Sequence, residues 1–80
     1  MELRDTAVLM MSDRWQDRLK AEYWQVRCRL VHLEIWLCQA RFDNETRKRL
    51  LEQHRAMLLY LAALNGRITR LRLWEFIEKD

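Results

Sequence analysis

The chain has 80 residues, half of them hydrophobic and a third charged, with one Gly, no Pro and a formal charge of +3. A single domain of this size buries too small a share of its surface to be comfortably stable alone, and the usual supplements are disulfides, metals or partner subunits. The scarcity of Gly and Pro removes the punctuation that strands, hairpins and shaped catalytic loops require, which argues for an all-helical soluble chain and against a loop-built active site. No uncharged run approaches the roughly 20 residues that span a bilayer. The N-terminus also lacks a basic segment followed by an apolar core and a small-residue cleavage site, so a cytoplasmic location and no membrane partner are expected.

Residues 1–11, "MELRDTAVLMM", are weakly patterned and read as a tail or a short docking segment. Residues 12–80 read as a helical hairpin: a helix over about 13–42, a turn at 43–44 and a helix over about 45–78. Ser12 or Asp13 suits the first N-cap. One apolar series, Trp15, Leu19, Tyr23, Val26, Leu30, Leu33, Leu37, Ala40, steps by three and four throughout, the mark of an amphipathic helix. A second series, Trp24, Cys28, Val31, Ile35, Cys38, Phe42, lies roughly 120° around the same helix, with Lys20, Arg27, Glu34 and Arg41 between the two. Two separate apolar faces need two different neighbours.

In "RFDNET", Asp43 or Asn44 suits the cap of the second helix and Glu45 its positive N-terminal end. The seam of that helix runs Leu50, His54, Met57, Leu61, Leu64, Ile68, Leu71. Asn65-Gly66 would ordinarily suggest a C-cap, but the spacing is kept across the pair, so the helix is expected to continue toward Ile77 at a cost of about 1 kcal/mol for the glycine. A kink or a third helix is the alternative. From Ala56 to Leu64 no residue is charged and only Tyr60 carries a hydroxyl, so every side of that stretch is apolar.

Two long helices joined by a short turn lie antiparallel, and such a pair buries one stripe per helix. The second stripe of the first helix and the Ala56–Leu64 stretch then need a cover, because soluble monomers avoid exposed apolar patches of that size. A homo-oligomeric helix bundle is therefore expected, with Val31, Ile35, Cys38, Leu58, Leu59 and Tyr60 at its interfaces.

The residues Leu50, Leu51, Gln53, Met57, Tyr60, Leu64, Arg67 and Ile68 resemble the C-terminal signature of a family of small tailed-phage proteins named after an open reading frame of a crAss-like phage. Gln16, Arg18, Leu19, Glu22, Leu30, Leu33, the group Ile35-Trp36-Leu37 and Phe42 are similar to its opening. The resemblance spans about Trp15 to Ile68; Arg27 and Arg29 depart from a more acidic first helix, as do the two cysteines and four tryptophans. It implies phage or prophage origin, a helical hairpin and no catalysis, and carries over no site residue. Small accessory phage proteins often act against host defences, and several unrelated ones are helical oligomers that sequester nucleotide signals, an analogy between protein classes.

No carboxylate pair, Gly-rich phosphate loop or hydrolase elbow is present, and no cofactor or catalytic residue is expected. Cys28 and His32, four apart on a helix, with His54 as a third ligand, fall short of the four that structural zinc takes. They read as a core cysteine and a partly buried histidine. Cys38 with His32 lacks an oxyanion loop or a cause for a depressed thiol pKa. Cys28 and Cys38 sit about 15 Å apart along one helix and cannot bridge within it.

The basic residues carry more. Twelve of fifteen cations are Arg, and between Thr46 and Arg72 seven cations face one acid, Glu52. Arg offers a planar fork to phosphate oxygens and a flat face to rings, although Arg-favouring codons of a G+C-rich genome account for the excess equally well. Arg67, Arg70 and Trp74 share one side of a continuous helix, Trp24 and Arg27 are neighbours, and Arg41 lies two heptads beyond Arg27. These six form the candidate site for a small anionic nucleotide bounded by packed protomers; the competing reading makes Trp24, Tyr60 and Trp74 core fillers. The expected function is a non-enzymatic phage oligomer that sequesters a cyclic nucleotide or ADP-ribose-type signal. The alternative is a nucleic-acid binder, recognised by steep salt dependence, or an adaptor on a host protein.

Overall fold

Leu19, Tyr23, Val26, Leu30 and Leu33 are buried along one side of α2 (Trp15–Gln39), as their spacing of three and four demands. In this computed structural model, which describes residues 1–79, the regular elements are all α-helices: α1 (Leu3–Met10), α2, α3 (Asn44–Leu71) and α4 (Trp74–Glu78). No helix among the described residues is long and apolar enough to cross a membrane. Helix α3 returns along α2. Arg47 reaches the Leu37 carbonyl, His54 the Glu34 carboxylate, and Tyr60 and Arg67 both reach Glu22, so the pairs run in opposite directions along the chain.

Residues 1–11 are largely ordered as α1, which lies against α2. The Glu2 N–H donates to Asp5 Oδ2 at 3.0 Å, satisfying a donor at the start of α1. The buried Thr6 hydroxyl donates to the Leu3 carbonyl at 2.6 Å and accepts from Gln25 Nε2 at 3.0 Å, tying α1 to α2. Such a buried hydroxyl stays favourable only because both its roles are filled.

Helix α2 stops at Gln39, short of the expected Phe42. Ala40 turns extended, and the Phe42 ring folds back edge-on against Trp36, 5.0 Å between centroids. Asp43 caps α3 by accepting the Thr46 N–H at 2.7 Å. Hydrogen bonding to Thr46, side chain first and backbone second, holds the Asp43 carboxyl below its ordinary range. A depressed folded-state pKa stabilises above the unfolded value, and the contribution is lost as pH falls through the folded one. Asp43→Ala is therefore expected to lower the thermal midpoint at pH 7, with the difference from the parent shrinking as pH falls through the depressed Asp43 pKa; melts followed by circular dichroism across the acid range check this.

Helix α3 runs straight through Asn65-Gly66, and a Cβ built on Gly66 would meet nothing within 4 Å. The expectation of a helix extending to Ile77 needs correction, because α3 ends at Leu71. Arg72 adopts a left-handed conformation, φ 58° and ψ 43°, and the Leu73 N–H returns to the Ile68 carbonyl at 3.1 Å, the 6→1 bond of a Schellman ending. A non-glycine residue there costs about 1–2 kcal/mol. Packing of the last helix holds the reversal in place: Ile77 of α4 is fully buried with Leu19, Tyr23, Val26, Leu64 and Ile68, flanked by Leu73, Trp74 and Phe76.

The two ends of the helix pair are therefore unlike. Near α4 the α2–α3 seam is covered by further helices, and Leu64 and Ile68 are buried. Toward the 40–43 turn the same seam, at Leu50, His54 and Met57, is only half-buried. The smallest molecular extent is 18 Å, about two helix diameters, so at the turn end the outward helix faces have no third layer. Val31, Ile35, Trp36, Leu51, Leu58 and Leu59 are all exposed, Leu59 by 65%.

Candidate functional site

The six residues expected to bind a ligand fall into separate places. Trp24, Arg27 and Trp74 gather around Tyr23, whose ring is 5.3 Å from Trp24 and 5.4 Å, edge-on, from Trp74. Arg27 lies over the Tyr23 and Trp24 rings at 5.8 and 5.5 Å and donates to the Tyr23 hydroxyl at 2.9 Å. This is a guanidinium already seated on aromatic faces.

Both tryptophans of this cluster have structural partners. The Trp24 Nε1–H donates to the Ile77 carbonyl at 2.8 Å, and Lys20 Nζ donates to the Lys79 carbonyl while lying 5.2 Å from the centre of the Phe76 ring. Side chains of α2 thus satisfy carbonyls at the end of α4 that no further turn can bond. The Trp74 Nε1–H donates to Thr69 Oγ1 at 2.8 Å. Trp74 belongs to α4, so the expectation that Arg67, Arg70 and Trp74 line one side of a continuous helix fails at the Arg72 reversal.

Arg41 lies beyond the end of α2, fourteen positions along the chain from Arg27, about 20 Å at helical rise. The structure does not bring the two together. Arg70 is exposed in the last turn of α3, where its charge suits the helix dipole. Arg67 sits with α2: its Nη1 is 3.5 Å from Glu22 Oε1, and the Tyr60 hydroxyl donates to Glu22 Oε2. That bond holds the Tyr60 phenol above its ordinary pKa range, with burial and the Glu22 charge acting in the same direction.

Among the residues expected at an interface, Val31, Ile35, Cys38, Leu58 and Leu59 are exposed with no layer above them. Tyr60 is also exposed, but its hydroxyl is committed to Glu22. Cys28 and Cys38 are free thiols, the former 3.3 Å from the Met1 carbonyl. His54 pairs with Glu34 at 3.1 Å. No group of three or more His, Cys, Asp or Glu side chains suited to a metal ion occurs among the described residues.

The shallow recess formed by Trp24, Arg27, Cys28, Val31 and His32 holds ≈ 170 Å³, below the roughly 300 Å³ at which small-molecule pockets begin. On the other side, Trp15, Arg18, Glu22 and Arg67 line a larger groove. Trp15, Arg18 and Glu22 stand at i, i+3 and i+7 of α2. That spacing was legible, but Trp15 opens the apolar series that ends in the core and so reads as a core residue.

A family model matches residues 13–70, described as Sequestin. The chain belongs to the Sequestin family. The match takes in α2 and all but the last residue of α3, and leaves out α1 and α4. No curated protein and no solved structure matches the chain. The family's name fits a protein that sequesters something, and both arginine-bearing long helices lie within the matched segment.

Proposed function

We propose that this Sequestin is a non-enzymatic, homo-oligomeric binding module that sequesters a small anionic nucleotide signal. In this reading it is a phage accessory protein acting in the cytoplasm of the host cell to blunt a defence. The family membership over residues 13–70 carries the sequestering part of the reading. The chemistry of the ligand follows from the arginines, twelve in the chain, and from the exposed aromatic faces beside them on the long helices, a combination that suits phosphate oxygens and bases. Assembly follows from the antiparallel helix pair, whose turn end leaves Val31, Ile35, Leu58 and Leu59 uncovered.

Native mass spectrometry of the purified protein, alone and with a panel of cyclic dinucleotides and cyclic ADP-ribose isomers, tests both parts. The expected result is a defined oligomer that gains whole numbers of one nucleotide. A stable monomer would contradict the assembly. A defined oligomer that ignores the panel would contradict the ligand class and favour the second reading, a nucleic-acid or host-protein binder. One observation supports that second reading: Arg47, Lys48 and Arg55 share a face of α3 with Asn44 and Leu51. Nucleic-acid binding there would weaken steeply with salt, as counterions are released.

A further inference from the structure

We propose that the nucleotide is held in the groove between α1, α2 and α3, with its base on Trp15, its sugar hydroxyls on Glu22 and its phosphate on Arg18 and Arg67. The inference rests on the proposed sequestering function and gives it a location that differs from the Trp24–Arg27 recess.

The groove is built by three helices: Met10 from α1, Trp15, Arg18, Leu19 and Glu22 from α2, and Arg67 from α3. Its volume of ≈ 310 Å³ reaches the range of small-molecule sites, which begins at about 300 Å³. Three other depressions are larger and are built differently. One is the basic face of α3 around Leu51, formed by a single helix with no second wall, and two adjoin Met1, where Arg4 is the one cationic side chain beside Glu2.

Each wall supplies a different chemistry. Trp15 is 47% exposed and, unlike Trp24 and Trp74, makes no hydrogen bond among the described residues, so its ring is open to stacking. Stacking on an aromatic ring tolerates any base, because every base has a π-face. Arg18 is anchored through one nitrogen, Nη1, to the Ser12 carbonyl at 2.7 Å, which fixes the guanidinium and leaves the rest of its fork for an anion. Arg67 faces it, held only by the 3.5 Å approach to Glu22, long enough for phosphate oxygens to compete for the guanidinium. Glu22 accepts from Tyr60 and from donors placed in the groove, the role that a sugar diol fills. Trp15 is also the first residue of α2, so the positive end of a 25-residue helix borders the site. All of the residues lining the groove except Met10 lie within the Sequestin match.

The test is isothermal titration of the full chain with the same cyclic dinucleotides and cyclic ADP-ribose isomers, comparing the parent with Trp15→Ala, Trp15→Phe, Arg18→Ala, Arg67→Ala, Arg27→Ala and Arg41→Ala. The expected result is a loss of at least about tenfold in affinity for Trp15→Ala, Arg18→Ala and Arg67→Ala, with Trp15→Phe, Arg27→Ala and Arg41→Ala close to the parent. Circular dichroism on each variant separates loss of binding from loss of fold, and Trp15→Phe keeps the ring if Trp15→Ala unfolds. A parent that binds while the groove variants bind equally well, or while Arg27→Ala alone weakens it, overturns the groove and leaves sequestration standing. A parent that binds nothing in the panel overturns both.

Discussion

Introducing charge at two adjacent outward leucines, Leu58→Asp with Leu59→Asp, is expected to give a monomer that keeps its helices, where the parent forms the proposed oligomer. Both side chains lie on the exposed face of α3, and neither belongs to the core cluster of Leu19, Tyr23, Val26, Leu64, Ile68 and Ile77. Burying a Leu side chain completely contributes about 1.5–3 kcal/mol, and half-exposed residues such as these stand to gain roughly half of that on association. In an isologous interface each residue acts twice, once from each copy, so the doubly substituted pair removes several kcal/mol and adds carboxylates that must be desolvated. Sedimentation velocity reads the mass, and far-ultraviolet circular dichroism reads the helix content. An unchanged oligomer would move the interface to the α2 stripe of Val31, Ile35 and Cys38, and an unfolded chain would show that α3 depends on this face for more than assembly.

The second large effect is expected in the core. Ile68→Ala should destabilise the protein by about 2–5 kcal/mol, the cost of removing three buried carbons and leaving a cavity. Ile68 is 0% exposed, at the meeting point of α2, α3 and α4. A domain of 80 residues has a total stability of only about 4–12 kcal/mol, so this single change removes a large part of it. Urea unfolding followed by far-ultraviolet circular dichroism gives the loss directly. Ile77→Ala is a useful comparison, since Ile77 is equally buried but belongs to a five-residue helix held by the Trp24 and Lys20 hydrogen bonds to carbonyls at its end. A smaller global effect with local loss of α4 would show that the last helix opens independently.

The periodicity of the sequence located the long helices and which sides they bury, because a 3.6-residue repeat needs no knowledge of neighbours. Leu19, Tyr23, Val26, Leu30 and Leu33 were legible as the inner face of α2, and Leu64 and Ile68 as that of α3. The ends were less legible. Asn65-Gly66 is the strongest turn signal in the second half and lies inside a helix, where Asn65 is half-buried with its Oδ1 unpartnered and Gly66 faces open space. The actual reversal is at Arg72, a residue with no turn preference, because burial of Ile77 against α2 offsets the strained backbone.

The residues singled out in the sequence for a ligand are not brought together in one place by the fold. Residue types alone suggested arginines and aromatic faces as the groups to look for, without saying which of them meet. Trp24 and Trp74 were singled out for their spacing to arginines, and each has its indole N–H committed within the fold. Trp15, first in the core-facing series, is instead half-exposed at the rim of the groove. Helical composition, the two long amphipathic segments and the excess of apolar surface over what one chain can cover were determined by the sequence by itself, since they depend on local propensity and on counting. Where the chain reverses, which tryptophans serve the core and which arginines share a groove were decided only by tertiary structure. Those outcomes depend on contacts such as Trp24–Ile77, Lys20–Lys79 and Glu22–Arg67, between residues more than forty positions apart in the chain.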